Sequence, residues 1–382
     1  MEIHTFYSAY TEVFKNRYIK MTCDKITASN FLKEDVSIAS IAVATPPFHI
    51  SQAQAEAFLM KYYSDKLSQR SLSIMRRVFA HPSVSNRYLA VEDIECLVNE
   101  NPDDRIARFT NWAVGLSSQA ITNALIQAGL TVNDVSGLVV NTCTGYICPG
   151  ISTYLIERLG LSHQVQAYDL VGSGCGGAIP NLQICKGLVS GSIDSVIVSV
   201  SVEICSATFQ MSDDLSLIVS NAIFADGASA TILCQRSKGL ALVGSASLYD
   251  PQYRNDIRYI YRNGQLHNQI SVLIPEIASK TVARVVMDLL KPRGLRIEDI
   301  QHWVFHPGGE KVINAIRNEL GISETHLKAT RDILARYGNM SSPTVWFVLQ
   351  EILEKGIAPG DWCIMVAFGA GLCAHAFLLK AS

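Results

Sequence analysis

The chain repeats itself. Residues 121–145 read ITNALIQAGLTVNDVSGLVVNTCTG, and residues 286–310 read VMDLLKPRGLRIEDIQHWVFHPGGE. Gly129-Leu130 falls opposite Gly294-Leu295 and Asp134-Val135 opposite Asp299-Ile300, both 165 positions apart. In each copy apolar residues recur at helical spacing, Gly-Leu stops the helix, Asp opens a turn and a short hydrophobic run reads as a strand. A second pair follows: Cys175 to Val200 reads as helix, turn and strand, and so does Ser342 to Ala367. Asp194 and Asp361 are 167 apart, which sets Ser342 opposite Cys175. Strand–helix–strand units with nearly continuous apolar strands imply buried, largely parallel sheets flanked by helices. Pseudo-twofold packing of the halves would aim the helix starting at Cys175 and the helix starting near Ser342 into one pocket.

The 382 residues, 48% hydrophobic and 17% charged, suffice for two such halves. A net charge of -2 gives no electrostatic case for nucleic acid or an anionic membrane. Small molecules are the expected partners. The ten cysteines include no CxxC pair, so reduced thiols are expected rather than disulfides or structural zinc. No segment resembles a signal sequence, and none approaches the roughly 20 apolar residues of a spanning helix. A soluble, cytoplasmic protein is expected. Residues 1–35 read as an arm or extra helix, 36–235 as the first half and 236–382 as the second.

Cys175 lies in Leu170-Val171-Gly172-Ser173-Gly174-Cys175-Gly176-Gly177, between a predicted strand and a predicted helix. Glycine permits a sharp turn and close approach. A thiol at the positive end of a helix should ionise more readily than free cysteine, with its pKa of about 8.5. A buried structural cysteine is the plain alternative. In the second half, His306 ends the strand Trp303-Val304-Phe305 and enters Pro307-Gly308-Gly309, while Asn339 precedes the helix start Ser341-Ser342-Pro343. Each alone is more often a turn or cap residue than a catalyst. Together a Cys, a His and an Asn suit carbon–carbon bond formation between thioesters. The thiolate takes the acyl group, His306 stabilises that thiolate and later donates a hydrogen bond, and the Asn339 amide supplies an uncharged donor to an enolate.

Gly174-Cys175-Gly176-Gly177, His306-Pro307-Gly308-Gly309 and Tyr337-Gly338-Asn339-Met340-Ser341-Ser342 resemble the catalytic signatures of type III polyketide synthases, the chalcone synthase-like branch of the thiolase fold. Ala44-Thr45-Pro46-Pro47, Arg87-Tyr88, Ile223–Ala230 and Ala367–Leu372 match further family segments in the right order. The resemblance implies a layered αβαβα fold of two pseudo-twofold-related halves, a homodimer, and Cys175, His306 and Asn339 as catalytic residues. It implies acyl-CoA and malonyl-CoA as substrates, no permanently bound cofactor and no metal, with repeated decarboxylative condensation and then cyclisation to pyrone or resorcinol-type products. Phe224 matches a gatekeeper; Cys143, Cys148, Cys205, Thr208, Ser220, Asn268 and Phe368 match pocket positions. Small Cys143 and Cys205, with Asn268 or its neighbour His267 where plant enzymes carry a second gatekeeper phenylalanine, suggest room for an aliphatic starter. Arg77 matches a CoA-binding position, whereas Ile74 and His81 replace basic residues. CoA contacts are therefore assigned to Arg76, Arg77, Lys311, Gly308 and Gly309, with delivery by an acyl carrier protein as another route. A single-round enzyme like ketoacyl-carrier-protein synthase III is the alternative, disfavoured by the Pro-Gly-Gly run. A non-catalytic thiolase-fold subunit is a further one, disfavoured by retention of Cys175.

Overall fold

The computed structural model describes residues 36–192, 194–235 and 238–382. The expectation for residues 1–35 lies outside the described residues. The described residues open with β1 (Val36–Ala44), β2 (His49–Ser51), α1 (Gln52–Tyr63), α2 (Gln69–Phe79) and β3 (Asn86–Tyr88). Next come α3 (Pro102–Ala128), β4 (Val135–Asn141), α4 (Ile151–Leu159), β5 (Gln166–Leu170), α5 (Ala178–Gly191), β6 (Val196–Ile204), α6 (Leu215–Ile223) and β7 (Asp226–Gln235). β8 (Leu240–Tyr249) leads to the hairpin of β9 (Ile257–Arg262) and β10 (Gln265–Ile270), then α7 (Ile274–Leu290), β11 (His302–Phe305) and α8 (Glu310–Leu320). α9 (Lys328–Tyr337), α10 (Thr344–Lys355), β12 (Trp362–Gly369) and β13 (Cys373–Ala381) complete it.

The repeat is visible in the backbone. Gly129 after α3 and Gly294 after α7 both take the left-handed conformation, at φ 68° in each case, which lets glycine end a helix without strain. A short 3₁₀ turn then feeds β4 in one half and β11 in the other. The main sheet has the order β11-β12-β13-β8-β1-β7-β6-β4-β5. Read outward from the centre, β1, β7, β6 and β4 correspond to β8, β13, β12 and β11, and β5 has no counterpart.

The sheet is mixed rather than largely parallel. β4 pairs in parallel with β5 and β6, and β11 with β12. β7 runs antiparallel to β6 and β1, and β13 antiparallel to β12 and β8. The cause is connection length. Only Ala370–Leu372 separate β12 from β13, and a parallel crossover needs a dozen or more residues.

Alternation along the strands builds the layers. Val196, Val198 and Val200 pack with α3 and α4, while Ile197 faces α5 and α10. Ile364, Val366 and Phe368 pack with α7 and α8, while Met365 and Ala367 face α5 and α10. So α5 and α10 form the central layer between the two sheet halves, and the order is αβαβα. That geometry turns the N-termini of both central helices towards residues from the two halves.

Candidate active site

Cys175 sits in the 3₁₀ turn Gly174–Gly176 at the start of α5. Gly174 has φ 54°, a conformation that a side chain would strain. The end of β12 presses on this turn: a Cβ on Gly369 would overlap the Ser173 carbonyl oxygen and lie 2.5 Å from the Gly176 nitrogen. Ser341 Oγ donates to Cys175 Sγ at 3.2 Å. Ser341 is a non-glycine residue at φ 58°, the backbone strain expected where a side chain must be aimed.

Cys175 keeps some exposed surface. Desolvation nonetheless pushes its thiol up to about 12, against the Ser341 hydrogen bond and assisted by the Glu203 charge. The direction is opposite to the acidified thiol expected from the helix terminus, with desolvation as the largest cause. His306, at the mouth of β11, anchors its N–H on the Val366 carbonyl at 2.8 Å. Its ring is buried, stands edge-on to Phe368 at 5.6 Å, and neither ring nitrogen has a hydrogen-bond partner. Burial lowers its pKa to about 3. At neutral pH the pair is a thiol and a neutral imidazole, with no hydrogen bond between them.

Asn339 follows α9 through Gly338, whose φ is 76°. Its Oδ1 accepts the Ser341 N–H at 2.8 Å, so the amide NH₂ end is the one turned away from that bond. Its backbone pairs with the residues around Phe224: Asn339 N–H donates to Ile223 O at 2.8 Å and Ala225 N–H to Asn339 O at 2.9 Å. The buried Arg87 guanidinium donates to the Phe224 carbonyl at 3.0 Å and to Asn221 O at 2.6 Å. Phe224, Asn339 and Arg87 are thus one clamp. Cys175 and Asn339 meet through Ser341, and His306 joins them through Phe368-Gly369.

Behind the thiol lies Glu203, fully buried in β6. It accepts hydrogen bonds from Cys143 N at 2.9 Å, Thr144 N at 3.1 Å, Thr144 Oγ1 at 2.9 Å and Ser342 Oγ at 2.7 Å. Burial still holds its carboxyl above the usual range. Ser341 Oγ lies 3.4 Å from Glu203 and 3.6 Å from Cys143 Sγ, so one hydroxyl touches two thiols and the carboxylate.

Phe224, Cys205, Thr208, Ser220 and Asn268 line one cavity with Phe58, Leu217 and Arg87. Its volume is about 50 Å³, far below the roughly 300–1,000 Å³ of ordinary ligand sites. Tyr259 lies beside this region but lines a neighbouring cavity. Directly opposite Asn268 in the hairpin, its buried phenol bonds to Thr208 and lies near Cys143 and Cys205. Of the two small cysteines, Cys205 lines the Phe224 cavity and Cys143 lines the neighbouring one with Tyr259.

Residues 40–242 match the family model described as FAE1/Type III polyketide synthase-like protein, and residues 242–382 match Chalcone and stilbene synthases, C-terminal domain. The chain belongs to the type III polyketide synthases. It is therefore a transferase of the decarboxylating-condensation class. A 3,5-dihydroxyphenylacetyl-CoA synthase of Streptomyces toyocaensis is 29% identical over 78% of this chain and 80% of its own length. A 1,3,6,8-tetrahydroxynaphthalene synthase of Streptomyces peucetius subsp. caesius is 28% identical over 90% and 93%. Among solved structures, PKS-I of the brown alga Ectocarpus siliculosus superposes with TM-score 0.84 at 25% identity, covering 93% of this chain and all of that one. The C-terminal type III domain of Steely1 from Dictyostelium gives 0.84 at 26% identity, covering 91% and 99%.

Within this synthase two pocket assignments change. Cys148 is exposed and lines neither the Phe224 cavity nor its neighbours, because the loop turns outward after Gly145. Phe368 is buried behind His306 and backs the imidazole instead of lining the cavity. Arg76 and Arg77 are exposed in the last turn of α2, and Lys311 in the first turn of α8. Gly308 and Gly309 are half-buried beside Lys311. His81 and Glu310 line a common surface cleft of about 520 Å³, but Arg76, Arg77, Lys311, Gly308 and Gly309 do not line it. Among the described residues no cluster of His, Cys, Asp and Glu is arranged to hold a metal. Sequence reasoning missed Glu203, Ser341 and Tyr259. A lone carboxylate inside the apolar run Val200–Cys205 was the available signal for the first.

Proposed function

We propose that Cys175, His306 and Asn339 are the catalytic residues. The neutral His306 imidazole takes the thiol proton as Cys175 attacks an acyl-CoA carbonyl; the new C–S bond forms as CoA leaves. Malonyl-CoA then loses CO₂, and its enolate oxygen is held by donors on His306 and Asn339 until its carbon attacks the Cys175 thioester. A carboxamide suits that oxygen because it donates without charge. Convergence of a strained Ser341, the thiol and the Asn339 amide beside a closed cavity carries this reading. Repeated extension ends in cyclisation to a pyrone or hydroxylated aromatic ring.

The cavity of about 50 Å³ beside Phe224 favours a short starter over a long alkyl chain. The exposed Arg76, Arg77 and Lys311, with Gly308 and Gly309 beside them, would meet the CoA phosphates and arm at the surface. Edge strand β5 exposes Gln166–Asp169, and an open edge is what a second copy can cover; a homodimer follows, read out by sedimentation. No helix of the described residues is long and apolar enough to cross a membrane, which agrees with a cytoplasmic site of action.

The test is product mass spectrometry with malonyl-CoA and a panel of acyl-CoA starters of about two to twelve carbons, since each methylene in an apolar pocket is worth about 1–3 kcal/mol of discrimination. Triketides and longer products from short starters are expected, and none from Cys175→Ala. One condensation per turnover would support the single-round alternative instead.

A further inference from the structure

A buried chain of hydrogen bonds runs from the middle of the first half to the nucleophile. It starts at Asn181 in the first turn of α5 and passes through Asn141, at the end of β4, to Ser342, Glu203 and Ser341; all five are buried. Two backbone carbonyls fix its direction. Val139 O and Val200 O lie 3.0 and 2.9 Å from Asn181 Nδ2, and a carbonyl can only accept. The amide nitrogen of Asn181 must face them, which leaves its Oδ1 for the Ser199 hydroxyl at 2.8 Å. The same nitrogen reaches Asn141 Oδ1 at 3.0 Å, where Ser201 Oγ also donates at 2.7 Å. Asn141 Nδ2 is thereby turned to Ser342 Oγ at 2.8 Å. A Cβ on Gly177 would lie 2.9 Å from that nitrogen, so the glycine after the Cys175 turn makes room for it.

A hydroxyl has a single proton to give. With one lone pair of Ser342 taken by Asn141, its proton goes to Glu203 Oε1 at 2.7 Å. Ser341 Oγ stands between two acceptors, Cys175 Sγ at 3.2 Å and the same Oε1 at 3.4 Å. While Ser342 serves Oε1, the Ser341 proton is left for the sulfur. Without Ser342 the buried carboxylate would claim it, because an unserved buried charge is costly.

We propose that Asn141 is a positioning residue for the nucleophile: by holding the Ser342 hydroxyl on Glu203 it keeps the Ser341 hydroxyl on Cys175, and so stabilises the thiolate that attacks the acyl thioester. The proposal rests on the reading of Cys175 as the nucleophile. The titratable groups around Cys175 are Glu203 on β6, Cys143 after β4, Cys205 after β6, Tyr259 on β9 and Cys373 on β13. His375 on β13 adjoins Gly176, and His306 stands behind Phe368. Asn141 bonds to none of these; its partners are Ser342, Asn181 and Ser201.

The test is the rate of iodoacetamide alkylation at Cys175, read by peptide mass spectrometry across neutral and mildly alkaline pH. Asn141→Ala should move the whole rate–pH curve to higher pH, cutting the rate at fixed pH at least about tenfold, as loss of one donor to a thiolate implies. Ser342→Ala should do the same. In a Ser341→Ala background, itself slowed, neither substitution should slow alkylation further, because no hydroxyl remains to be diverted. A purely structural loss would persist in that background. Ser199→Ala is the control: the two carbonyls still orient Asn181, so its curve should overlay the native one. An Asn141→Ala curve within about twofold of native, or an effect undiminished in the Ser341→Ala background, overturns the proposal. If Asn141→Ala does not fold, Ser342→Ala with and without Ser341→Ala decides by the same two criteria. Acyl-CoA loading separates this proposal from the reading beneath it. Native protein acylated on Cys175, with Asn141→Ala unshifted in alkylation, overturns the positioning role alone. Acylation elsewhere, or by none of the starters, overturns the reading of the nucleophile and this proposal with it.

Discussion

At the scale of single residues the site is held in a neutral resting form. His306 is buried without a partner for either nitrogen, and its pKa falls from 6.5 to about 3 because of that burial. The folded state therefore excludes the proton that the unfolded chain accepts. Stability from this residue is fully present above about pH 6.5 and is lost as pH falls towards 3. At pH 5 the loss amounts to about 2 kcal/mol. His306→Gln should remove it: the drop in unfolding free energy between pH 7 and pH 5, measured by urea denaturation, should shrink by about that amount. An unchanged drop would mean that His306 protonates freely in the fold. The three catalytic candidates were legible in the sequence because each sits in a short motif beside a repeat-related helix start. The ionisation of Cys175 was not, since it depends on desolvation and on Glu203, which lies 28 positions away in sequence. Tyr259 was equally invisible: hairpin register, not local pattern, puts it beside the cysteines.

At the scale of elements, the ends of β12 and α9 carry the geometry. Gly369 lets β12 touch the Cys175 turn, and Phe368 beside it fixes the imidazole. Gly369→Ala would drive a methyl into the Ser173 carbonyl and the Gly176 nitrogen, both backbone, so the turn must shift. A shift of about 1 Å at such a turn costs on the order of 100-fold in rate. We expect kcat to fall by at least that factor while far-UV circular dichroism stays native; a variant within about threefold of native would show that the turn tolerates displacement. The helices, the two glycine stops and the continuous strands were readable from periodicity. The antiparallel course of β7 and β13 was not, because apolar strands look alike in either direction and only the connections decide.

At the scale of the whole molecule, duplication is the source of function. Two strand–helix units related by pseudo-symmetry bring α5 and α10 side by side, and the asymmetry between copies supplies a thiol in one half and an imidazole and amide in the other. Asn141 cements the junction, donating to Ser342 Oγ at 2.8 Å and accepting from Asn181 at 3.0 Å, so strand, α5 and the approach to α10 share one buried network. The central claim is that one thiol carries the growing chain while the other half activates the extender. Intact-protein mass spectrometry after mixing with a short acyl-CoA, followed by labelled malonyl-CoA, tests it most directly. We predict a single acyl adduct on Cys175, absent in Cys175→Ala, that is elongated in the native protein but persists unextended in Asn339→Ala. An adduct on Cys143 instead, or elongation undiminished without Asn339, would contradict the account.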